Sequence, residues 1–244
     1  MIFKKKYSNI YNQIYKKKNY IKESKYIITL LKKNKVIKKN ILEFGLGTGG
    51  HAKYLLSKNY NLVGIDKSPD MLRIAKKIPK LKCILGDIRS IRLNKKFDAI
   101  LSLFHVINYM LTSSDINNFF KNAKAHLGTN GLLIFDIWNY KAVKNGKFSE
   151  SKFFKMKNYD IEKISQSKTK KNIITINFKY TLKKKRKITS SFVEQHKIRY
   201  FSFKEICFFA NKNNFKLIHV YKMLTFSKPL KNDKYSCYVF RKLD

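Results

Sequence analysis

Ile41-Leu42-Glu43-Phe44-Gly45-Leu46-Gly47-Thr48-Gly49-Gly50, followed by Val63-Gly64-Ile65-Asp66, is the stretch whose pattern decides the fold. It reads as a buried strand, a glycine-rich turn, a helix and a second strand ending in an acid. Glycines at 45, 47 and 49 let the chain reverse sharply and bring bare backbone against a ligand, because no Cβ intervenes. Asp66 stands at the tip of the next strand, about twenty residues on, where a carboxylate can accept both hydroxyls of a ribose. The arrangement suits an adenosine.

The spacing narrows the choice of adenosine ligand. A Walker loop ends in Gly-Lys-Ser or Gly-Lys-Thr, whereas this turn ends in Gly49-Gly50-His51. A dinucleotide fingerprint is spaced G-x-G-x-x-G, with a pyrophosphate on the helix N-terminus. Here the spacing is G-x-G-x-G, and Glu43 lies two residues ahead of the first glycine. A carboxylate there can orient backbone amides and offset an ammonium or sulfonium charge.

These residues resemble the cofactor site of the class I S-adenosylmethionine-dependent methyltransferases, and the resemblance continues in order along the chain. Ser68-Pro69-Asp70-Met71-Leu72 follows the ribose acid, with Met71 in the place that packs on the adenine. Leu85-Gly86-Asp87-Ile88 resembles the next motif, which implies that Asp87 and Ile88 hold the adenine edge and face. Phe97-Asp98-Ala99-Ile100-Leu101-Ser102-Leu103 resembles the fourth strand, ending beside the methyl group, and Gly131-Leu132-Leu133-Ile134-Phe135-Asp136 the fifth. Taken singly, Asp66 reads equally as a helix cap, Met71 as core and Asp87 as a turn residue. The implied fold is α/β: a Rossmann-like, doubly wound, seven-stranded sheet with an antiparallel β insertion after the fifth parallel strand. The implied cofactor is S-adenosylmethionine, held by Tyr20, Glu43, Gly45, Gly47, Gly49, Asp66, Met71, Asp87, Ile88 and Leu103.

With 244 residues and 44% hydrophobic content the chain can bury a full core, and one α/β domain with an insertion suits that length. No segment approaches the roughly 18 uninterrupted apolar residues of a membrane span, and the N-terminal lysines lack a following apolar stretch. A soluble, cytoplasmic protein is expected. Cys83, Cys207 and Cys237 are isolated in apolar patterns, and the five histidines show no ligand spacing, so neither disulfides nor a metal site is expected.

The formal net charge of +39, from 54 Lys and Arg against 15 Asp and Glu, suggests at face value a nucleic-acid or acidic-membrane partner. Yet Asn, Ile, Phe and Tyr are also abundant, as AT-rich coding produces, and the lysines are spread over every segment. Runs such as Lys4 to Lys6, Lys16 to Lys18 and Lys183 to Lys187 read as solvated turns, with nucleic-acid patches or targeting signals as the alternatives. The scarcity of acids still favours an anionic substrate.

Residues 1–40 read as a helical lid, with Tyr7, Tyr11 and Tyr15 on one stripe and Tyr20 following. Residues 41–146 and 202–244 form the expected Rossmann-like core. Thr112, Ser113 or Ser114 can cap a helix from Asp115 toward Leu127, and Gly128 with Asn130-Gly131 should end it. Residues 147–201 form the inserted antiparallel platform. Three strands are expected between about 152 and 201, with Ile174, Ile176, Phe178 and Tyr180 on one face and a hairpin turn at 183–187. A helix from Phe203 to Asn211 and strands at Lys216–Leu224 and Tyr235–Arg241 complete the chain.

Phe104-His105-Val106-Ile107-Asn108-Tyr109, Phe135-Asp136-Ile137-Trp138-Asn139 and His196-Lys197-Ile198-Arg199-Tyr200-Phe201 resemble bacterial small-molecule methyltransferases encoded with sugar and surface-polysaccharide enzymes. They are also similar to N,N-dimethyltransferases that modify nucleotide-linked amino sugars. An N or O atom of a small polar acceptor, anionic or a nucleotide-linked sugar, is the expected methyl target. An amine acceptor must arrive neutral and a hydroxyl needs a base, for which His105 is the candidate. His196 and Arg199 are candidates for an anionic acceptor group, and Tyr11 and Tyr15 for the acceptor pocket. A nucleic-acid (rRNA or tRNA) methyltransferase is the rival, although no Asp/Asn-Pro-Pro-Tyr/Phe motif follows the fourth strand and no RNA-binding module is appended. A non-catalytic cofactor-binding protein is the second rival. A homodimer is compatible with either.

Overall fold

The computed structural model describes residues 3–139, 149–185 and 187–243. Two helices lead in: α1 (Lys5–Ile14) and α2 (Tyr20–Lys33), the latter capped by the Asn19 side chain, which accepts from the Lys22 amide. Alternating strands and helices follow: β1 (Asn40–Phe44), α3 (Gly50–Ser57), β2 (Asn61–Asp66), α4 (Pro69–Ala75) and β3 (Lys82–Leu85). Ser68 caps α4 and Pro69 fills its first turn, where the missing N–H costs nothing. Next come β4 (Phe97–Ser102), a 3₁₀ turn (Val106–Tyr109), α5 (Ser113–His126) and β5 (Leu127–Trp138). Of the three residues considered for the α5 cap, Thr112 does the work, in a reciprocal capping box with Asp115.

With the last two strands, β10 (Phe215–Lys222) and β11 (Tyr235–Lys242), the main sheet has the order β10-β11-β5-β4-β1-β2-β3. Strands β1 to β5 pair in parallel, and β11 runs antiparallel to both β5 and β10. Side-chain alternation along the strands feeds two cores. Leu42, Phe44, Leu133 and Phe135 pack under α5 and under α6 (Phe203–Lys212), whereas Ile41, Leu132 and Ile134 pack under α2, α3 and α4. Strand order reverses at β1 and β4, and the crevice beyond their carboxyl ends is where open α/β sheets bind ligands.

The insertion has four strands rather than three: β6 (Ser149–Lys155), β7 (Asp160–Lys170), β8 (Ile173–Lys184) and β9 (Lys187–Arg199), paired antiparallel in that order. The extra edge strand, β6, has a mostly exposed face, so it lacks the clean alternation that marks the other three. Ile174, Ile176 and Tyr180 are buried on one face as the pattern implies. The expected boundary near 146 lies outside the described residues. A second difference concerns Gly128 to Gly131. Instead of a turn ending α5, β5 starts directly at Leu127 and absorbs these residues as an irregularity, with Asn130 at φ 58°. Among the described residues no helix is long and apolar enough to cross a membrane.

Candidate active site

A cavity of about 230 Å³ opens at the carboxyl ends of β1, β2 and β4, between α1, the 3₁₀ turn and the second sheet. Of the fifteen residues singled out from sequence, thirteen line it: Tyr11, Tyr15, Tyr20, Glu43, Gly45, Gly47, Asp66, Met71, Asp87, Ile88, Leu103, His105 and His196. Gly49 and Arg199 do not.

The floor is the glycine turn. All three glycines have positive φ, 74° at Gly45, 57° at Gly47 and 78° at Gly49, the region that a side chain disfavours. Their surroundings differ. A Cβ on Gly45 would stand 2.5 Å from Val106 Cγ2, and one on Gly49 would stand 2.6 Å from Ile78 Cδ1. One on Gly47 would meet nothing within 4 Å, so Gly47 faces open cavity and Gly49 shapes the turn from behind. The Gly47 amide donates to Asp66 Oδ2 at 2.7 Å and the Ser68 amide donates to Oδ1 at 2.8 Å. Burial nevertheless pushes the Asp66 carboxyl above its ordinary value. Each of its oxygens keeps acceptor capacity for a vicinal diol.

Glu43 is 2% exposed at the end of β1, and its Oε2 has no partner among the described residues. A buried carboxylate oxygen without a donor is costly, which favours a cationic ligand in front of it. Its other oxygen lies 3.7 Å from His51 Nδ1, and His51 Nε2 lies 2.7 Å from Glu23 on α2, which in turn pairs with Lys18. Burial opposes charge on His51, but Glu23 and Glu43 on either side outweigh it and raise its pKa to about 8. Because that lies above the unfolded value near 6.5, the linkage stabilises the fold fully below pH 6.5 and is lost as pH rises through 8. Denaturant titrations from pH 6 to pH 9 should therefore show the wild type losing about 2 kcal/mol more than His51→Gln. Parallel losses would contradict the linkage.

Beyond β3, Arg89 grips Asp87. Its Nε and its amide both donate to Asp87 Oδ1 at 2.9 Å, and the same guanidinium reaches Asp115 of the α5 cap. The guanidinium holds the Asp87 carboxyl below its usual range. Arg89 also lines the cavity, so Asp87 and Arg89 present one rigid polar edge.

At the tip of β4, Phe104 and His105 both take left-handed backbone conformations, φ 65° and 62°. Non-glycine residues pay about 1–2 kcal/mol each for this, a strain that gathers at functional sites. The His105 amide donates to Asp136 Oδ1 at 3.3 Å, and His105 Nδ1 lies 2.8 Å from Oδ2 as an ion-pair contact rather than an aligned hydrogen bond. Burial works against the Asp136 charge, yet the His105 contacts hold its carboxyl below the ordinary range. Tyr235 stacks on the imidazole with centroids 4.6 Å apart. With Nδ1 facing the carboxylate, Nε2 is the nitrogen left for a ligand.

The opposite wall is aromatic. Tyr7, Tyr11 and Tyr15 follow one stripe of α1, and Tyr7 packs on Tyr180 of β8 at 5.4 Å. His196 is buried, with Nδ1 2.7 Å from the Tyr109 hydroxyl. Burial lowers its pKa to about 4, so it is neutral at pH 7. Arg199 is placed elsewhere. It pairs with Glu205 and donates to the Leu111 carbonyl at 3.3 Å, because residues three apart on a strand point to opposite faces. Among the described residues no group of His, Cys, Asp and Glu is arranged to hold a metal ion.

Residues 41–131 match the model of a methyltransferase domain. A dTDP-3-amino-3,4,6-trideoxy-alpha-D-glucopyranose N,N-dimethyltransferase of Streptomyces venezuelae is 27% identical over 54% of this chain and 57% of its own length. A structure of an S-adenosylmethionine-dependent methyltransferase from Clostridium acetobutylicum superposes with a TM-score of 0.85 at 21% identity, covering 98% of both chains.

Over residues 41–131 the chain is similar to methyltransferase domains, and its fold is that of the S-adenosylmethionine-dependent methyltransferase it superposes on.

The site fits S-adenosylmethionine: the orphaned Glu43 oxygen could face a cation, Asp66 keeps acceptor capacity for a diol, and Gly47 presents an open face. An S-adenosylmethionine-bound amino pentose methyltransferase from Micromonospora echinaspora shares the fold, with a TM-score of 0.81 at 18% identity over 99% of this chain and 98% of that one. Matched regions span about half the length of the curated sugar dimethyltransferases. Sequence reasoning assigned no role to His51, Glu23, Arg89 or Asp136. His51 and Asp136 stand inside quoted motifs, but their partners lie 28 and 31 residues away.

Proposed function

We propose that the chain transfers the methyl group of S-adenosylmethionine to the nitrogen of a nucleotide-linked amino sugar. The observation that carries this is the shared cavity. A cation-seeking floor at Glu43, Gly47 and Asp66 meets, in one chamber, a carboxylate-backed His105 and an aromatic acceptor wall. The names of the curated relatives, which are amino-sugar N,N-dimethyltransferases, support nitrogen and a nucleotide-linked sugar.

When bound, the cofactor supplies a methyl carbon activated by its sulfonium. The chain's own part is alignment and proton handling, and alignment alone can account for several orders of magnitude. Glu43 would face the cofactor's cationic end and Asp66 its ribose, while Met71, Ile88 and the Asp87–Arg89 edge would border the adenine. Tyr20 and Leu103 would close the methionine end. An amino sugar is largely protonated at neutral pH and has no lone pair to offer. His105 Nε2 would take that proton, with Asp136 stabilising the imidazolium, would pass it on to water, and could then take a second from the methylated ammonium after transfer. Tyr11, Tyr15 and His196 would line the acceptor pocket. Residues 1–40 would act as a lid and residues 147–201 as a platform over the mouth. Arg199, neutralised by Glu205, has no part in this.

The test is to incubate purified protein with methyl-labelled S-adenosylmethionine and three acceptors in parallel. These are a dTDP-linked amino sugar, the same nucleotide sugar bearing hydroxyl in place of the amine, and RNA. Label should enter the amino sugar. Label confined to the hydroxyl analogue or to RNA would overturn the proposal.

A further inference from the structure

The second sheet carries one hydrogen-bond donor that lines the acceptor side of the cavity, His196, and a second, Lys163, over the ring of the lining residue Phe178; neither has an acceptor among the described residues. His196 Nδ1 is engaged by the Tyr109 hydroxyl, while Nε2 is buried without a partner among the described residues. A phenol is the stronger donor of that pair, which assigns the hydrogen to His196 Nε2. Lys163 comes from the same face of the sheet: it is in register with Tyr180 on β8 and Lys152 on β6. Its Nζ lies 4.2 Å from the ring centroid of Phe178, and Phe178 and His196, with centroids 5.2 Å apart, both line the cavity.

Among the described residues Lys163 takes part in no ion pair. The carboxylate whose charge acts on it, Glu150 on β6, is engaged by Lys152 at 2.9 Å, and Glu194 on β9 accepts from the Phe3 and Lys4 amides. Burial and the Lys152 charge lower the Lys163 pKa to about 8, so at pH 7 a half-buried, uncompensated ammonium stands beside a neutral N–H donor. Such a pair is incomplete without an anion.

We propose that Lys163 and His196 form the subsite for the diphosphate of the nucleotide-linked acceptor, with Lys163 supplying the charge that Arg199 cannot. This rests on the nucleotide-sugar reading above. A bound phosphate oxygen would accept from Lys163 Nζ and from His196 Nε2–H. Charge-assisted hydrogen bonds of this kind correspond to about a tenfold to hundredfold gain in affinity. Because the ammonium titrates, the gain should fade as pH rises through 8. The groups bearing on Lys163 are Lys152 and Glu150 from β6, His196 and Glu194 from β9, and the rings of Phe178 and Tyr180 from β8.

Calorimetry on the full chain with dTDP and thymidine as probes tests this. At pH 7 the wild type should prefer dTDP by about tenfold or more, Lys163→Ala should lose the preference, and Lys163→Arg should keep it. At pH 9 the preference should shrink in the wild type but persist in Lys163→Arg. Binding of S-adenosylhomocysteine to each variant verifies that it is folded. A Lys163→Ala protein that still prefers dTDP overturns the subsite, as does a wild type that methylates a dTDP-linked amino sugar while binding dTDP no better than thymidine. A wild type that binds neither probe and methylates no nucleotide-linked amino sugar overturns the reading beneath it.

Discussion

Gly47→Leu is expected to leave the protein folded and to abolish methyl transfer. The folded-state cost is confined to backbone, because Gly47 sits at φ 57° and a Cβ there meets nothing within 4 Å. A left-handed leucine costs about 1–2 kcal/mol, which shifts a melting temperature by only a few degrees in a chain of this size. The side chain then projects into the space in which a cofactor must approach the turn, and turnover should fall by about a hundredfold or more, a loss of about 2.7 kcal/mol. Gly45→Leu is the control. Its Cβ would stand 2.5 Å and 2.6 Å from the two methyls of Val106, whose stiff branched side chain cannot swing clear, so overpacking adds about 1–3 kcal/mol to the strain. Thermal melts set beside methyl-transfer assays separate the two glycines. Normal turnover in Gly47→Leu would mean that the turn does not contact the cofactor.

The second large effect is expected at His105. Replacing it with Ala should lower kcat on an amino sugar by about 10² to 10⁴ at pH 7, the usual worth of a positioned base. The deficit should narrow as pH rises, because free amine then accumulates in solution and needs no help to lose its proton. Asp136→Asn should fall between wild type and His105→Ala, since it leaves the ring in place but removes the charge that stabilises an imidazolium. Parallel pH–rate profiles for wild type and His105→Ala would assign the histidine a structural role, holding the strained Phe104–His105 corner rather than moving a proton.

What could be read from sequence was what is local. The glycine turn, Glu43 and Asp66 lie within one βαβ unit, where spacing dictates position, and the structure gathers them at one cavity. The two couplings that energise the site were not legible, because His51–Glu23 and His105–Asp136 join segments that only the tertiary fold brings together. The second sheet shows a further limit. Period-two alternation marked Ile174, Ile176 and Tyr180, but β6 has little buried face to leave such a trace. Likewise His196 and Arg199 look like a pair in sequence, though three residues along a strand put them on opposite faces. The cation proposed for the acceptor comes instead from β7, as one lysine among the many that a net charge of +39 supplies.

Calorimetric titration of the wild-type protein with S-adenosylhomocysteine, repeated on Glu43→Ala and Gly47→Leu, bears most directly on the central claim. One saturable site per chain, weakened about tenfold or more in both variants while their melting curves stay cooperative, is the expected result. A well-folded wild type that binds neither S-adenosylhomocysteine nor S-adenosylmethionine would contradict it.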